Sequence, residues 1–147
     1  MYRPAPGTKQ DPARRWALPD RALFAHGACH IHAGVYLRDP PRPGFRAERI
    51  VPNGPYPGNH VYLTDGTLCF DYRGYCARDR LLDWYGKQQA KQTPGWRGTI
   101  EAVRFDLLET AALNARQMRG PDQYQHDPLP RARAFVAARH QSAPSLS

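Results

Sequence analysis

The sequence predicts an α+β fold, an antiparallel sheet packed by helices. Three observations predict it. Residues 61–70 form two alternating apolar/polar runs around an Asp-Gly pair, the pattern of a β-hairpin. Stretches near 29–37, 78–92, 106–119 and 130–140 instead place apolar residues at helical spacing. The 147 residues suffice for one domain with a real core, and most of the 15 prolines cluster within 1–12, 39–58 and 121–130, where connectors belong.

Taken in order, Asp11-Pro12 reads as an N-cap followed by proline at the first helical position, opening a short helix through Trp16. A second helix starts near Gly27-Ala28-Cys29 and stops before Pro40, because a residue preceding proline avoids the helical region. Phe45–Val51 is a strand. In the hairpin, Asp65-Gly66 forms the two-residue turn, and Val61, Leu63, Leu68 and Phe70 share one apolar face. Arg78–Gln92 is a helix with Leu81, Leu82 and Tyr85 on one side. Gly98–Phe105 is a strand, and Asp106–Arg119 is a helix closed by Gly120. The last helix, about Pro130–His140, turns Ala134, Phe135 and Ala138 inward. Residues 1–11 and 141–147 read as a flexible segment and a disordered tail around a domain spanning 12–140.

A hydrophobic fraction of 41 % excludes a disordered chain. The net charge of +8 comes from arginines scattered through the sequence, which fits a solvated surface better than a nucleic-acid groove. Three cysteines in no metal-ligand spacing argue against a disulfide framework and for a reducing compartment. No run approaches the roughly 20 apolar residues of a membrane span, and no signal pattern opens the chain. The expectation is a cytoplasmic protein with no membrane partner, or one delivered without an N-terminal signal.

The hairpin register brings chemistry together. With the turn at Asp65-Gly66, Thr64 faces Thr67, Tyr62 faces Cys69 and His60 faces Asp71. Directly opposite residues share a sheet face with Cβ atoms about 4.5–5.5 Å apart. A carboxylate at that distance orients an imidazole and favours its charged form, the base-plus-orienter half of a catalytic triad. Cys29 is the candidate nucleophile. At a helix N-terminus, free N–H groups and a partial positive charge stabilise a thiolate. The N–H groups of Cys29 and His30 can also hold an oxyanion.

The segments His26-Gly27-Ala28-Cys29-His30-Ile31-His32-Ala33, Asn59-His60-Val61-Tyr62-Leu63 and Phe70-Asp71-Tyr72-Arg73-Gly74 resemble the G-x-C-x-x-x-A helix start, the histidine strand and the aromatic-Asp-x-x-Gly strand of papain-like cysteine hydrolases and acyl-transferases. The likeness is to minimal bacterial members, transglutaminase-like and toxin-associated peptidase-like, and covers roughly residues 23–86. It implies a small papain-like domain with a Cys29–His60–Asp71 triad, acting on a protein, peptide or other amide through an acyl-enzyme without a cofactor. Two departures stand out. No Gln or Asn shortly precedes Cys29 as a second oxyanion donor, so backbone N–H groups or the Trp16 indole would substitute. A histidine follows Cys29 where bulky apolar residues are frequent. Trp16, Asn59 and Tyr62 are the expected cleft residues.

Other readings compete. His26 and His30 stand four apart, as helical zinc ligands do, but Gly27-Ala28 start the helix after His26 and no glutamate lies between them; no metal site is read. Cys29 could be a packed helix cysteine, and His60 with Asp71 only a polar cross-strand pair. Cys69 and Cys76 read as structural, and Arg131 with Arg133 as a solvated face. The alternative function is a basic binding protein for nucleic acid or protein, with a degenerate cysteine fold.

Overall fold

A computed structural model describes residues 6–141. Five antiparallel strands, β1 (Arg46–Pro52), β2 (His60–Thr64), β3 (Leu68–Asp71), β4 (Gly74–Ala77) and β5 (Gly98–Ala102), form one sheet in the order β4-β3-β2-β1-β5. Among the described residues six α-helices accompany it: α1 (Pro12–Trp16), α2 (Asp20–His26), α3 (Cys29–Arg38), α4 (Arg78–Gln92), α5 (Thr110–Asn114) and α6 (Pro128–His140). The fold is α+β. Among the described residues no helix is long and apolar enough to cross a membrane.

The sheet is covered on both faces. Val61, Leu63 and Phe70 pack with Phe24 of α2, Ile31 and Tyr36 of α3 and Phe135 of α6. Tyr62 and Cys69, of opposite parity, pack with Leu81 and Tyr85 of α4. Burying apolar area on this scale, at about 25 cal/mol per Å², is the main force fixing α3 and β2 against each other.

The hairpin turn sits one residue later than expected. Thr64 pairs with Cys69 and Leu63 with Phe70, and the Asp65 N–H donates to the Leu68 carbonyl at 3.2 Å, so Gly66-Thr67 is the turn. The reason is side-chain capture. The Asp65 carboxylate accepts from the N–H groups of Thr67 (2.9 Å) and Leu68 (2.8 Å), while Thr64 Oγ1 accepts from Gly66 N–H. Gly66 takes φ 103°, a left-handed value that favours glycine. Directly opposite pairing of His60 with Asp71 is therefore replaced by a diagonal relation, with the shared face retained because cross-strand parity is unchanged.

Other elements also differ from the sequence-based expectation. Asp20–His26 forms a helix, with Ala22, Leu23 and Phe24 buried. β4 follows β3 after a tight Tyr72-Arg73 turn closed by Gly74 at φ 96°. The helix expected over Asp106–Arg119 is confined to Thr110–Asn114, since Arg116, Gln117 and Met118 turn back onto the carbonyls of Leu113 and Asn114. In α6 the inward residues are Ala132, Phe135 and Val136, leaving Ala134 and Ala138 exposed. The expected N-terminal flexible segment includes a described part in which Thr8–Gln10 form a short 3-10 helix and Thr8 is buried. Residues 1–5 and the expected tail beyond Gln141 lie outside the described residues.

Candidate active site

Cys29 is the first residue of α3, preceded by Gly27 and Ala28. The helix starts there because α2 ends at Gly27, whose carbonyl accepts from the Tyr124 hydroxyl at 2.6 Å. The first bond closing the new helix runs from His32 N–H to the Ala28 carbonyl at 3.0 Å. The N–H groups of Cys29 and His30 lie ahead of it, among the donors a helix N-terminus leaves over. The Cys29 thiol is buried, and Sγ accepts from Val61 N–H of β2 at 3.4 Å.

His60 opens β2 and is 2 % exposed. Its Nε2 donates to Asp71 Oδ2 at 3.1 Å, and its ring stacks on Tyr85 of α4 with centroids 5.4 Å apart. With Nε2 committed to the carboxylate, Nδ1 is the nitrogen left for the Cys29 thiol, which the N–H of the adjacent Val61 holds beside the start of β2 at 3.4 Å. Asp71, at the end of β3, divides its carboxylate between two tasks. Oδ2 orients His60, and Oδ1 accepts from Arg73 N–H at 2.9 Å, closing the turn into β4. The Arg73 guanidinium adds an ion pair at 3.5 Å and stacks over Trp84 at 4.0 Å. The turn that starts β4 thus also fixes the carboxylate behind His60.

The electrostatics follow from these contacts. Burial pushes the Cys29 thiol up, but hydrogen bonds to His30 and His60, with their charges, carry it down to about 5. Burial pushes His60 down, and hydrogen bonds to Asp71 and Cys29 overcome it, raising the imidazole to about 9. Burial pushes Asp71 up, yet His60 and Arg73 hold it down to about 2. Between those limits the stable form is a thiolate beside an imidazolium backed by a carboxylate. The other thiols differ. Burial pushes Cys69 up to about 12 and also raises Cys76. All three cysteines are free.

Cys29 and His60 border a cavity of about 510 Å³, lined also by Gly27, His30, Gly58, Asn59, Tyr72, Tyr85, Gln89 and Arg119. Asn59 therefore lies at the cleft. Trp16 and Tyr62 do not. Trp16 packs between His126 (5.5 Å) and the Arg131 guanidinium (4.7 Å), which takes its indole away from the site. Tyr62 is fully buried under α4 and donates its hydroxyl to Glu48 at 2.9 Å. His32, inside α3, is buried against Phe70 (5.3 Å), while His26 and His30 line the cavity. Sequence reasoning missed Tyr124, Tyr85 and Gln89. All three reach the site from elsewhere in the chain, and none belongs to a recognisable motif. Gly58, at φ 104°, has no Cβ to obstruct Gln89, whose Oε1 would lie 2.6 Å from one. Comparison with protein-family models, curated proteins and solved structures gave no match.

Proposed function

We propose that the chain is a thiol-dependent hydrolase or acyl-transferase with a papain-like arrangement, acting on an amide through an acyl-enzyme on Cys29. The observation that carries this reading is His60, fixed by a carboxylate on Nε2 and bordering one cavity together with Cys29, whose sulfur accepts from the N–H of the adjacent Val61. The Cys29 thiolate attacks the amide carbonyl carbon, and the carbonyl oxygen takes the negative charge. The N–H groups of Cys29 and His30 hold that oxyanion. His60 passes its Nδ1 proton to the amide nitrogen, the C–N bond breaks, and the amine leaves a thioester on Cys29. Water or an amine then attacks the thioester while His60 takes the incoming proton; the acid or new amide departs and the thiolate returns. Asp71 orients the ring throughout.

Limited iodoacetamide treatment at pH 6, read by mass spectrometry, tests the reading. Cys29 is expected to be modified ahead of Cys69 and Cys76, and His60→Ala to remove that preference. Equal labelling of the three thiols would overturn it. The competing reading, a basic binding protein, draws on a second groove along α4 lined by Arg73, Arg80, Lys87 and Lys91. It predicts affinity for an anionic polymer that falls steeply with salt, and Cys29 chemistry that is inert.

A further inference from the structure

Three successive carbonyls lead into His60, and two aromatic side chains hold them. Those of Gly58 and Asn59 accept from the Tyr85 hydroxyl of α4, the second at 3.4 Å, and that of Pro57 accepts from Trp96 Nε1 at 2.7 Å. None of the three residues belongs to a strand, so sheet pairing does not place them. Trp96 also sets its ring edge on Tyr85, with centroids 5.9 Å apart.

The same Tyr85 ring lies against the His60 imidazole. The centroids are 5.4 Å apart, the planes differ by 10°, and Tyr85 is 6 % exposed. Asp71 does not fix that plane alone. Its bond to Nε2, 3.1 Å long, pins one atom, and the torsion about the histidine Cβ–Cγ bond is broad. Nε2 lies close to the axis of that torsion, so a bond there resists rotation weakly. A buried, near-parallel aromatic face resists it strongly, and its negative π-surface favours a protonated ring. The other charged or titratable groups around His60 are Asp71 of β3 with the Arg73 guanidinium beside it, Cys29 and His32 of α3, Tyr72 of the turn (6.1 Å) and Tyr62 of β2 (6.2 Å). A substitution at 85 leaves all of them in place.

We propose that Tyr85 is a positioning residue for His60, its ring setting the plane of the imidazole and its hydroxyl the strand entry that carries it, so that Nδ1 stays available to the thiol. This rests on reading Cys29 and His60 as the catalytic pair. An imidazole free to turn would leave the thiolate without its cation, and the thiol would titrate higher. Tyr85 also packs in an apolar cluster with Ile50, Tyr62, Cys69 and Leu81, so a loss of stability in a variant does not by itself speak for this role.

The test is the pH dependence of Cys29 alkylation by iodoacetamide, which needs no substrate, measured beside urea unfolding. In the wild type the rate should rise through an inflection near 5. Tyr85→Leu keeps an apolar side chain but removes the aromatic face. Its inflection should move up by at least about one unit, cutting the rate at pH 5 about fivefold. Tyr85→Phe keeps the face and should stay close to the wild type. An unmoved inflection in Tyr85→Leu, whatever its stability, overturns the role of Tyr85 while leaving Cys29 as the nucleophile; so does a Tyr85→Phe inflection displaced as far as that of Tyr85→Leu. A wild-type inflection near the ordinary thiol value of 9 overturns the catalytic pair as well. Should Tyr85→Leu not fold, NMR of the wild type decides: titrating His60 should shift the Tyr85 ring signals, and Tyr85 signals that ignore it would sink the proposal.

Discussion

At the residue scale, His60 and Asp71 are held in place by committed atoms. Nε2 of His60 belongs to Asp71, and Oδ1 of Asp71 belongs to the Arg73 turn, so neither ring nor carboxylate is free to rotate. The pH behaviour of the proposed hydrolysis follows. The thiolate is lost as pH falls through about 5, and the imidazolium that protonates the leaving group is lost as pH rises through about 9. A bell-shaped profile with limbs near those values is expected, the limbs belonging to the coupled pair. Asp71→Asn removes the charge that raises His60. Its alkaline limb should move down toward 6.5, and turnover should fall on the order of a hundredfold or more. Rate–pH profiles of wild type and variant on a chromogenic amide check this; an unmoved alkaline limb would show that Asp71 does not hold the imidazolium. Cys29→Ala should abolish turnover with an unchanged circular dichroism spectrum, since alanine keeps helix propensity.

At the scale of elements, turns and inter-helix clamps decide where the site residues fall. Arg131 is the clearest departure from a sequence reading that placed it on a solvated face. Its guanidinium donates to the Trp16 carbonyl (2.7 Å), the Leu18 carbonyl (2.6 Å) and Asp20, and stacks on the Trp16 ring. It ties the α1–α2 junction, with its open carbonyls, to α6. Arg131→Ala should therefore cost roughly 2–4 kcal/mol in urea unfolding, while the exposed Arg133→Ala should cost under about 0.5 kcal/mol. Gly120 is the second such position. A Cβ there would sit 2.1 Å from Thr110 Oγ1, which bonds Asp122 at 2.7 Å. Gly120→Ala should destabilise by about 1–3 kcal/mol in urea unfolding. Wild-type stability in that variant would refute the close packing.

At the scale of the whole molecule, buried titrating groups link the site to stability. His32 is buried among Phe24, Phe70 and Phe135, and burial, the largest effect, holds it down to about 4 against an ordinary 6.5. A depressed histidine contributes stability above 6.5 that is lost as pH falls through 4. Cys29, also depressed, acts in the same direction as pH falls through about 5. His60 is raised, so its contribution is present below 6.5 and lost as pH rises through about 9. Between 6.5 and 9 the folded chain holds one proton on His60 where the unfolded chain holds it on Cys29, and the two effects cancel. Unfolding free energy measured by urea titration should be nearly flat from pH 6.5 to 9 and fall steeply below 6.5. In His32→Phe the acid decline should be shallower; an identical decline would remove His32 from the account.

The sequence by itself determined the strands β1 and β2–β3, the helices α3, α4 and α6, and which hairpin residues share a face. These signals are local: period, caps and turn residues act within a few positions. It also singled out Cys29, His60, Asp71 and Asn59, because a helix start, a strand start and a strand end can be placed from such signals. A one-residue error in the turn did not lose His60 and Asp71, since it moved the pairing by two and kept the face. Only the tertiary structure decided the rest. The Asp65 side chain chose the turn by capturing two N–H groups, an outcome that propensity leaves open. Trp16 went to Arg131 and Tyr62 under α4, because long-range burial and ion pairing outweigh local pattern. Tyr85, Gln89 and Arg119 line the cavity of Cys29 and Tyr124 bonds the carbonyl of Gly27 from distant parts of the chain, and no local signal marks an arrangement made only when α3, α4 and the segment before α6 pack together.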